Sequence, residues 1–87
     1  MKKYIIVPPR RKNKKYSVLK YNSKTKEYDY LLSFGSALYQ HYEDKTPLKL
    51  WSHLNHNDKE RRKRYYQRHG TTDDEESAKY YSNKYLW

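Results

Sequence analysis

Tyrosine is the residue that most constrains how this chain can fold. Twelve of the 87 residues are Tyr, and half of the 34% apolar fraction is aromatic, since Phe, Trp and Tyr make up 17%. An apolar fraction this low is typical of chains near the border between folded and disordered. Each tyrosine ring buries roughly 150–250 Å² while its hydroxyl stays hydrated or hydrogen-bonded. We therefore expect one small domain with an aromatic core, most stable when it lies against a partner.

The net charge of +10 comes entirely from the first 26 residues. Residues 1–26 contain ten basic side chains and no acid, whereas residues 27–87 contain ten of each sign. A segment of this kind attracts a polyanion such as nucleic acid or an acidic protein surface, or it only keeps the chain soluble. Pro8-Pro9 disfavours a helix. We predict an extended basic arm over residues 1–15, within which Ile5-Ile6-Val7 forms a short strand or a tail that docks on a neighbour.

Two short runs after the arm predict a β-hairpin. Residues 16–21 and 27–34 are rich in Tyr, Val and Leu, and Asn22-Ser23 marks the turn between them. Tyr28, Tyr30 and Leu32 are two residues apart and are expected to share one face of the second strand. A two-stranded hairpin is marginal in water, so other elements should cover it.

The strongest helix signal covers residues 58–69. Asn57 as N-cap and Glu60 at N3 form a capping box, and Gly70 occupies the position of a left-handed C-cap. Tyr65 and Tyr66 are the only apolar residues of this helix, which is therefore a surface helix or one that presents arginines to a partner: Arg61, Arg62, Arg64 and Arg68.

Three further helical segments are predicted from caps and spacing. Ser36 caps a short helix over 37–42, and Thr46-Pro47 opens a turn of helix that extends to Leu54. Ser77 caps a last helix over 78–84. The final Leu86 and Trp87 are expected to be packed.

The residue types that carry catalysis or bind metals are sparse. His53-x-x-His56 with Asp58 is the only cluster that resembles a metal site, and zinc requires three or four ligands. The absence of Cys excludes a disulfide framework and a thiol nucleophile, and two glycines exclude a phosphate-binding loop. We expect no enzyme activity, no cofactor and no small-molecule substrate. The longest apolar run is too short to span a membrane, which favours a reducing, non-secretory compartment.

Two motifs in the second half of the chain carry a resemblance. Residues 56–69 read H-x-D-x-x-R-R-x-x-Y-x-x-R-H, and residues 77–87 read S-A-x-Y-x-S-x-x-Y-L-W. Over residues 16–87 the chain resembles a group of small basic proteins encoded by nucleocytoplasmic large DNA viruses, including those of algae. The resemblance implies a virion component, a minor capsid protein made in the cytoplasm or nucleus of a host cell.

These observations predict a small α+β domain over residues 16–87, a β-hairpin followed by short helices, with an extended basic arm over residues 1–15. The predicted function is structural, a minor capsid protein that bridges or cements major capsid protein capsomers and contacts other minor capsid proteins. The alternative is a viral nucleic-acid-binding protein that condenses or escorts DNA through its basic arm. The predicted partner-binding residues are Arg10, Arg11, Lys12, Lys14, Lys15, Arg61, Arg62, Tyr65, Arg68 and Trp87.

Overall fold

A computed structural model describes residues 2–87 of the chain. Three antiparallel strands form one sheet in the order β1-β2-β3, with β1 at Tyr4–Val7, β2 at Lys14–Asn22 and β3 at Glu27–Ser36. A 3-10 turn at Ser52–Leu54 precedes two helices, α1 at Lys59–His69 and α2 at Ala78–Tyr85. The fold is a small α+β domain, as the sequence predicts. No helix within residues 2–87 is both long and apolar enough to cross a membrane.

Part of the predicted N-terminal arm belongs to the sheet. Residues 4–7 pair with β2, with Ile6 opposite Val18, and β2 itself begins at Lys14. The β-branched residues of Ile5-Ile6-Val7 suit a strand, and the edge of β2 offers them hydrogen bonds and apolar contacts. Residues 5–7 therefore form a strand, one of the two alternatives predicted for them, and β2 begins just before the predicted boundary at residue 15. Of the predicted arm, Pro8–Asn13 remains as the loop between β1 and β2.

The core lies between one face of the sheet and α2, and it is mostly aromatic. Five hydrophobic residues are no more than 4% exposed, namely Tyr16, Val18, Phe34, Tyr81 and Leu86. The Phe34 ring stands between two tyrosines, with ring centroids 5.8 Å from Tyr16 and 5.6 Å from Tyr81. Aromatic burial thus replaces the aliphatic core that the composition does not supply.

A β-bulge changes which residues of β3 share a face. Val18 pairs with Leu32, but the next residue, Leu19, pairs with Tyr30, so Leu31 is the extra residue. One extra residue reverses the alternation of side chains. Leu32 therefore lies with Val18 on the α2 side, whereas Tyr30 lies with Leu19 on the opposite side. The prediction that Tyr28, Tyr30 and Leu32 share one face is wrong.

Residues 37–50 contain no helix, contrary to the predicted helix over 37–42. The segment instead forms turns, and His41 makes an isolated parallel bridge with Asn55. His41 is fully buried, and its Nε2 lies 2.6 Å from Asn55 Oδ1. Contact with a residue 14 positions later thus determines this conformation. The predicted turn of helix over residues 46–54 forms only as the 3-10 turn at Ser52–Leu54.

A buried hydrogen-bond network attaches this irregular segment to the sheet. The Asp44 carboxylate accepts from the Tyr16 hydroxyl at 2.5 Å, the Thr46 hydroxyl at 2.6 Å and the Thr46 and Trp51 backbone N–H groups, each at 3.0 Å. The Trp51 indole N–H also donates to the Lys15 carbonyl oxygen at 2.7 Å. These bonds hold residues 44–51 against β2. We call Tyr16, Asp44 and Thr46 the polar knot.

Both α-helices begin at side-chain caps. The N-cap of α1 is Asp58 rather than the predicted Asn57, because the Asp58 side chain accepts from the N–H groups of Glu60 and Arg61. Asn57 has a positive φ of 53° and stands just before the cap. Ser77 caps α2, as predicted, by accepting from the Tyr80 N–H.

Candidate partner-binding surface

Helix α1 is positioned by aromatic contacts with the C-terminal end of α2. The Tyr65 and Trp87 rings are nearly parallel, 3° apart in plane and 4.4 Å apart at their centroids. The Tyr65 hydroxyl donates to Asn83 Oδ1 at 2.8 Å, and the Tyr66 hydroxyl donates to the Asn83 carbonyl oxygen at 3.0 Å. Tyr65 and Trp87 therefore serve first to orient α1, and the packing of Trp87 follows the sequence prediction.

Arg62 takes part in the same packing. Its Nε donates to the Trp87 carbonyl oxygen, and its guanidinium lies 5.2 Å from the Tyr42 ring centroid and 5.5 Å from that of Tyr66. Because the guanidinium contacts one ring in α1 and one in the segment after β3, it stabilises the packing of α1 on that segment. The Arg62 side chain thus contacts these rings while it stays exposed, and its role in binding a partner stays a prediction.

Lys15 is also part of the fold rather than of a free arm. Its side chain is 2% exposed, and Nζ donates to the Tyr39 carbonyl oxygen at 2.7 Å. Burial lowers the pKa of Lys15 to about 8, partly opposed by the nearby Asp44 carboxylate, so the amine is still protonated at neutral pH.

Gly35 makes the close packing around Lys15 feasible. This glycine has a φ of +75°, and a Cβ added to it would lie 2.7 Å from Leu86 Cδ1 and 3.2 Å from Lys15 Cβ. Only glycine combines that backbone angle with so little space. The start of β2 can therefore lie directly against the end of β3 and against Leu86.

A groove of about 860 Å³ runs between the start of β2, the end of β3, and the two helices. Tyr65 and Trp87 line it, and so does the mostly exposed Tyr39 at its edge. The basic side chains that line it are Lys14, Lys15, Arg61, Arg68 and Lys79, together with His69. We call this feature the cationic groove.

The charge of the cationic groove is all of one sign. None of its lining residues, among those that the structure describes, is Asp or Glu. Four of these cations, Lys14, Arg61, Arg68 and Lys79, are at least partly exposed and raise the local concentration of anionic groups, whereas Lys15 is buried. Arginine also pairs with carboxylate or phosphate through two parallel hydrogen bonds. The groove is therefore built to receive an anionic ligand or surface.

Six of the ten predicted partner-binding residues meet in the cationic groove: Lys14, Lys15, Arg61, Tyr65, Arg68 and Trp87. Arg10 and Arg11 line a separate shallow depression with Leu19, Tyr28 and Tyr30. Lys12 is exposed in the β1–β2 loop, and Arg62 packs as described above. The structure thus divides the predicted residues between two surfaces.

Two groove residues escaped the sequence prediction. Tyr39 lies in the helix predicted over 37–42, which does not form, and it is 71% exposed beside Leu38, which is 72% exposed. Lys79 lies in the first turn of α2, where its position at the groove depends on how α2 packs. The sequence signal that could have indicated this exposed apolar site is the pair Leu38-Tyr39, which lies in a segment with only a weak helix pattern.

The histidines near α1 do not form a metal centre. His53 packs beside Trp51 at 5.8 Å, and His56 packs beside Trp87 at 5.2 Å. His56 Nδ1 accepts from the Asp58 N–H at 2.9 Å. Within residues 2–87, no three or more His, Cys, Asp or Glu side chains are grouped so that they could hold a metal ion.

Comparison of the chain with protein-family models, with curated proteins and with solved structures finds no match.

Proposed function

We propose that this protein is a structural virion component, a minor capsid protein that bridges major capsid protein capsomers and contacts other minor capsid proteins. The proposal joins the resemblance over residues 16–87 to the chemistry of the cationic groove. In this role the groove binds an acidic surface of a neighbouring capsid protein. The arginines pair with its carboxylates, and the exposed Leu38 and Tyr39 pack against its apolar side chains.

The observation that carries the proposal is the apolar border of the cationic groove. Tyr39, which lines the groove, and its chain neighbour Leu38 are each more than 70% exposed. Exposed aliphatic side chains gain free energy when a protein surface covers them. A DNA backbone offers them no such contact, since phosphate recognition depends on cations and polar groups. Arginine and aromatic residues beside aliphatic ones are typical of protein interfaces.

The test reverses two groove charges in the virus that encodes the chain. In Arg68→Glu with Lys79→Glu, both altered residues line the groove and both are exposed. The matched control is Lys59→Glu with Lys63→Glu, which makes the same change in charge on exposed positions about half a turn around α1 from Arg61 and Arg68. Purified particles are disassembled stepwise, and each fraction is analysed by mass spectrometry.

Wild-type and control chains should co-fractionate with the major capsid protein after nuclease treatment, whereas the groove variant should be depleted from the shell. Release of the wild-type chain by nuclease would replace the bridging function with genome binding. Equal incorporation of both variants would show that the groove is not the capsid contact. Absence of the wild-type chain from particles would refute a virion function altogether.

A further inference from the structure

The face of the sheet opposite α2 carries a patch of tyrosines. Leu19 pairs with Tyr30 and Tyr21 pairs with Tyr28, and directly paired residues of an antiparallel sheet point to the same side. The bulge at Leu31 puts this side opposite the core residue Val18. We call Leu19, Tyr21, Tyr28 and Tyr30 the tyrosine face.

The tyrosine rings of this face are tied down along the sheet by their hydroxyl groups. The Tyr30 hydroxyl lies 2.9 Å from Ser33 Oγ, and the Tyr28 hydroxyl donates to the Lys2 carbonyl oxygen at 2.7 Å. The Tyr21 ring meets the Tyr28 ring edge-on, with centroids 5.3 Å apart. These hydrogen bonds fix the positions of the Tyr28 and Tyr30 hydroxyl groups. Tyr30 remains 47% exposed.

Two arginines border the tyrosine face. Arg10 and Arg11 line one depression of about 560 Å³ with Leu19, Tyr28 and Tyr30, and none of these lining residues is acidic. The loop that carries both arginines is anchored on the same face, because the Arg10 N–H donates to Ser17 Oγ at 2.8 Å. Cations are thus held beside exposed aromatic rings.

We propose that the tyrosine face binds single-stranded nucleic acid, with bases stacked on Tyr28 and Tyr30 and phosphates paired with Arg10 and Arg11. Aromatic rings with adjacent cations are the elements that single-strand binding requires, since every base has a face that can stack. A duplex keeps its bases stacked on each other and presents none of them to such a face. The proposal uses a surface distinct from the cationic groove and stands independently of the capsid function.

The test measures binding of the full chain to a labelled oligothymidylate of about 12 nucleotides, a length within the range of known single-strand sites. Fluorescence anisotropy is recorded at several salt concentrations. Tyr30→Ala should weaken binding roughly 5- to 150-fold, which corresponds to the loss of one base stack. Tyr30→Phe keeps the aromatic ring. Because the base stacks on the ring and not on the hydroxyl, its affinity for the oligonucleotide should stay within about two-fold of wild type. Circular dichroism confirms that both variants remain folded.

The arginines are tested through the salt dependence of binding. Arg10→Gln with Arg11→Gln should reduce the slope of log affinity against log salt by about 1.4, because each phosphate contact on a single strand contributes about 0.7. Lys59→Gln with Lys63→Gln removes the same charge from α1 and should leave the slope unchanged. An oligouridylate of equal length shows whether RNA or DNA binds more tightly, and a preference for either supports the proposal.

Four results would overturn the proposal. The first is tighter binding to a duplex of equal length than to the single strand. The second is that Tyr30→Ala binds the oligonucleotide with wild-type affinity. The third is that the Lys59→Gln, Lys63→Gln control loses as much of the salt-dependence slope as the Arg10→Gln, Arg11→Gln variant. Polyglutamate that competes as well as the oligonucleotide would also overturn it, since it would show that charge alone, without stacking, determines binding.

Discussion

Replacing the Asp44 carboxylate by an amide of the same shape should severely destabilise the fold. Asp44 is 1% exposed, and each of its oxygens accepts one backbone N–H and one hydroxyl. Burial acts to raise the pKa of Asp44, but the hydrogen bonds from Thr46 and Tyr16 outweigh it and hold the pKa below its ordinary value. The group that Asp44→Asn replaces is therefore a charged acceptor of four bonds at neutral pH.

The magnitude follows from the two backbone donors. In Asp44→Asn, either orientation of the amide turns its NH₂ toward one fixed backbone N–H, that of Thr46 or that of Trp51. A buried donor left without an acceptor costs about 1–3 kcal/mol, and the remaining bonds lose their charge assistance. We expect a loss of about 3 kcal/mol in the free energy of unfolding. A domain of this length has a total stability of roughly 4–13 kcal/mol, so the loss is a large share of it.

The assay is urea unfolding followed by tryptophan fluorescence, since Trp51 donates to Lys15 beside the polar knot. Asp29→Asn is the matched control, because Asp29 is exposed and accepts from the Asn22 side chain at 3.0 Å. The control should unfold within about 0.5 kcal/mol of wild type. If Asp44→Asn changes the free energy of unfolding no more than the control does, the polar knot does not hold the loop on the sheet.

Two further predictions concern the protonation and hydroxyl groups of buried side chains. Burial lowers the pKa of His41 from 6.5 to about 4, so the folded chain binds fewer protons than the unfolded chain between these values, and stability should fall as pH falls through this window. His41→Gln keeps a hydrogen-bond donor for Asn55 but does not titrate, so it should reduce this loss of stability at low pH. Urea unfolding midpoints measured at both ends of the pH window will show the difference. An unchanged loss of stability would contradict the assignment of His41 as the titrating group. The Tyr81 hydroxyl is buried without a partner among the described residues, whereas that of Tyr16 belongs to the polar knot. Tyr81→Phe should therefore raise the free energy of unfolding by about 1 kcal/mol and Tyr16→Phe should lower it, and a loss in Tyr81→Phe would contradict this contrast.

The elements predicted from the sequence are those with local signals. The hairpin follows from two apolar runs around a polar turn, and α1 and α2 follow from caps and from Gly70, all within a few residues of each element. The helix predicted over residues 37–42 failed because His41 pairs with Asn55, a contact that no local pattern encodes. For the same reason the sequence did not decide between a strand and a docking tail for Ile5-Ile6-Val7, since β1 forms only by pairing with β2.

The candidate surfaces show the same division between local and long-range information. Charge and residue type identified the arginines, but only the tertiary packing separates Arg61 and Arg68, which line the groove, from Arg62, which packs on Tyr42 and Trp87. The burial of Lys15 likewise depends on Gly35 and Leu86, which are distant in sequence. A charge count therefore identified the basic residues without showing which of them line the groove and which pack within the fold.

The polar knot is a consequence of building a core from tyrosine. A phenol buried for its apolar area brings a hydroxyl that must find a partner, and burial with hydrogen bonding to Asp44 raises the pKa of Tyr16 to about 12. The partner of that hydroxyl, Asp44, is itself buried and needs further donors, which Thr46 and Trp51 supply. The low aliphatic content of the chain thus leads, step by step, to a buried carboxylate and to an irregular loop held firmly on the sheet. Leu38 and Tyr39 precede this loop in the chain, and there the buried Lys15 ammonium donates to the Tyr39 carbonyl oxygen, so the start of β2 positions the edge of the cationic groove as well.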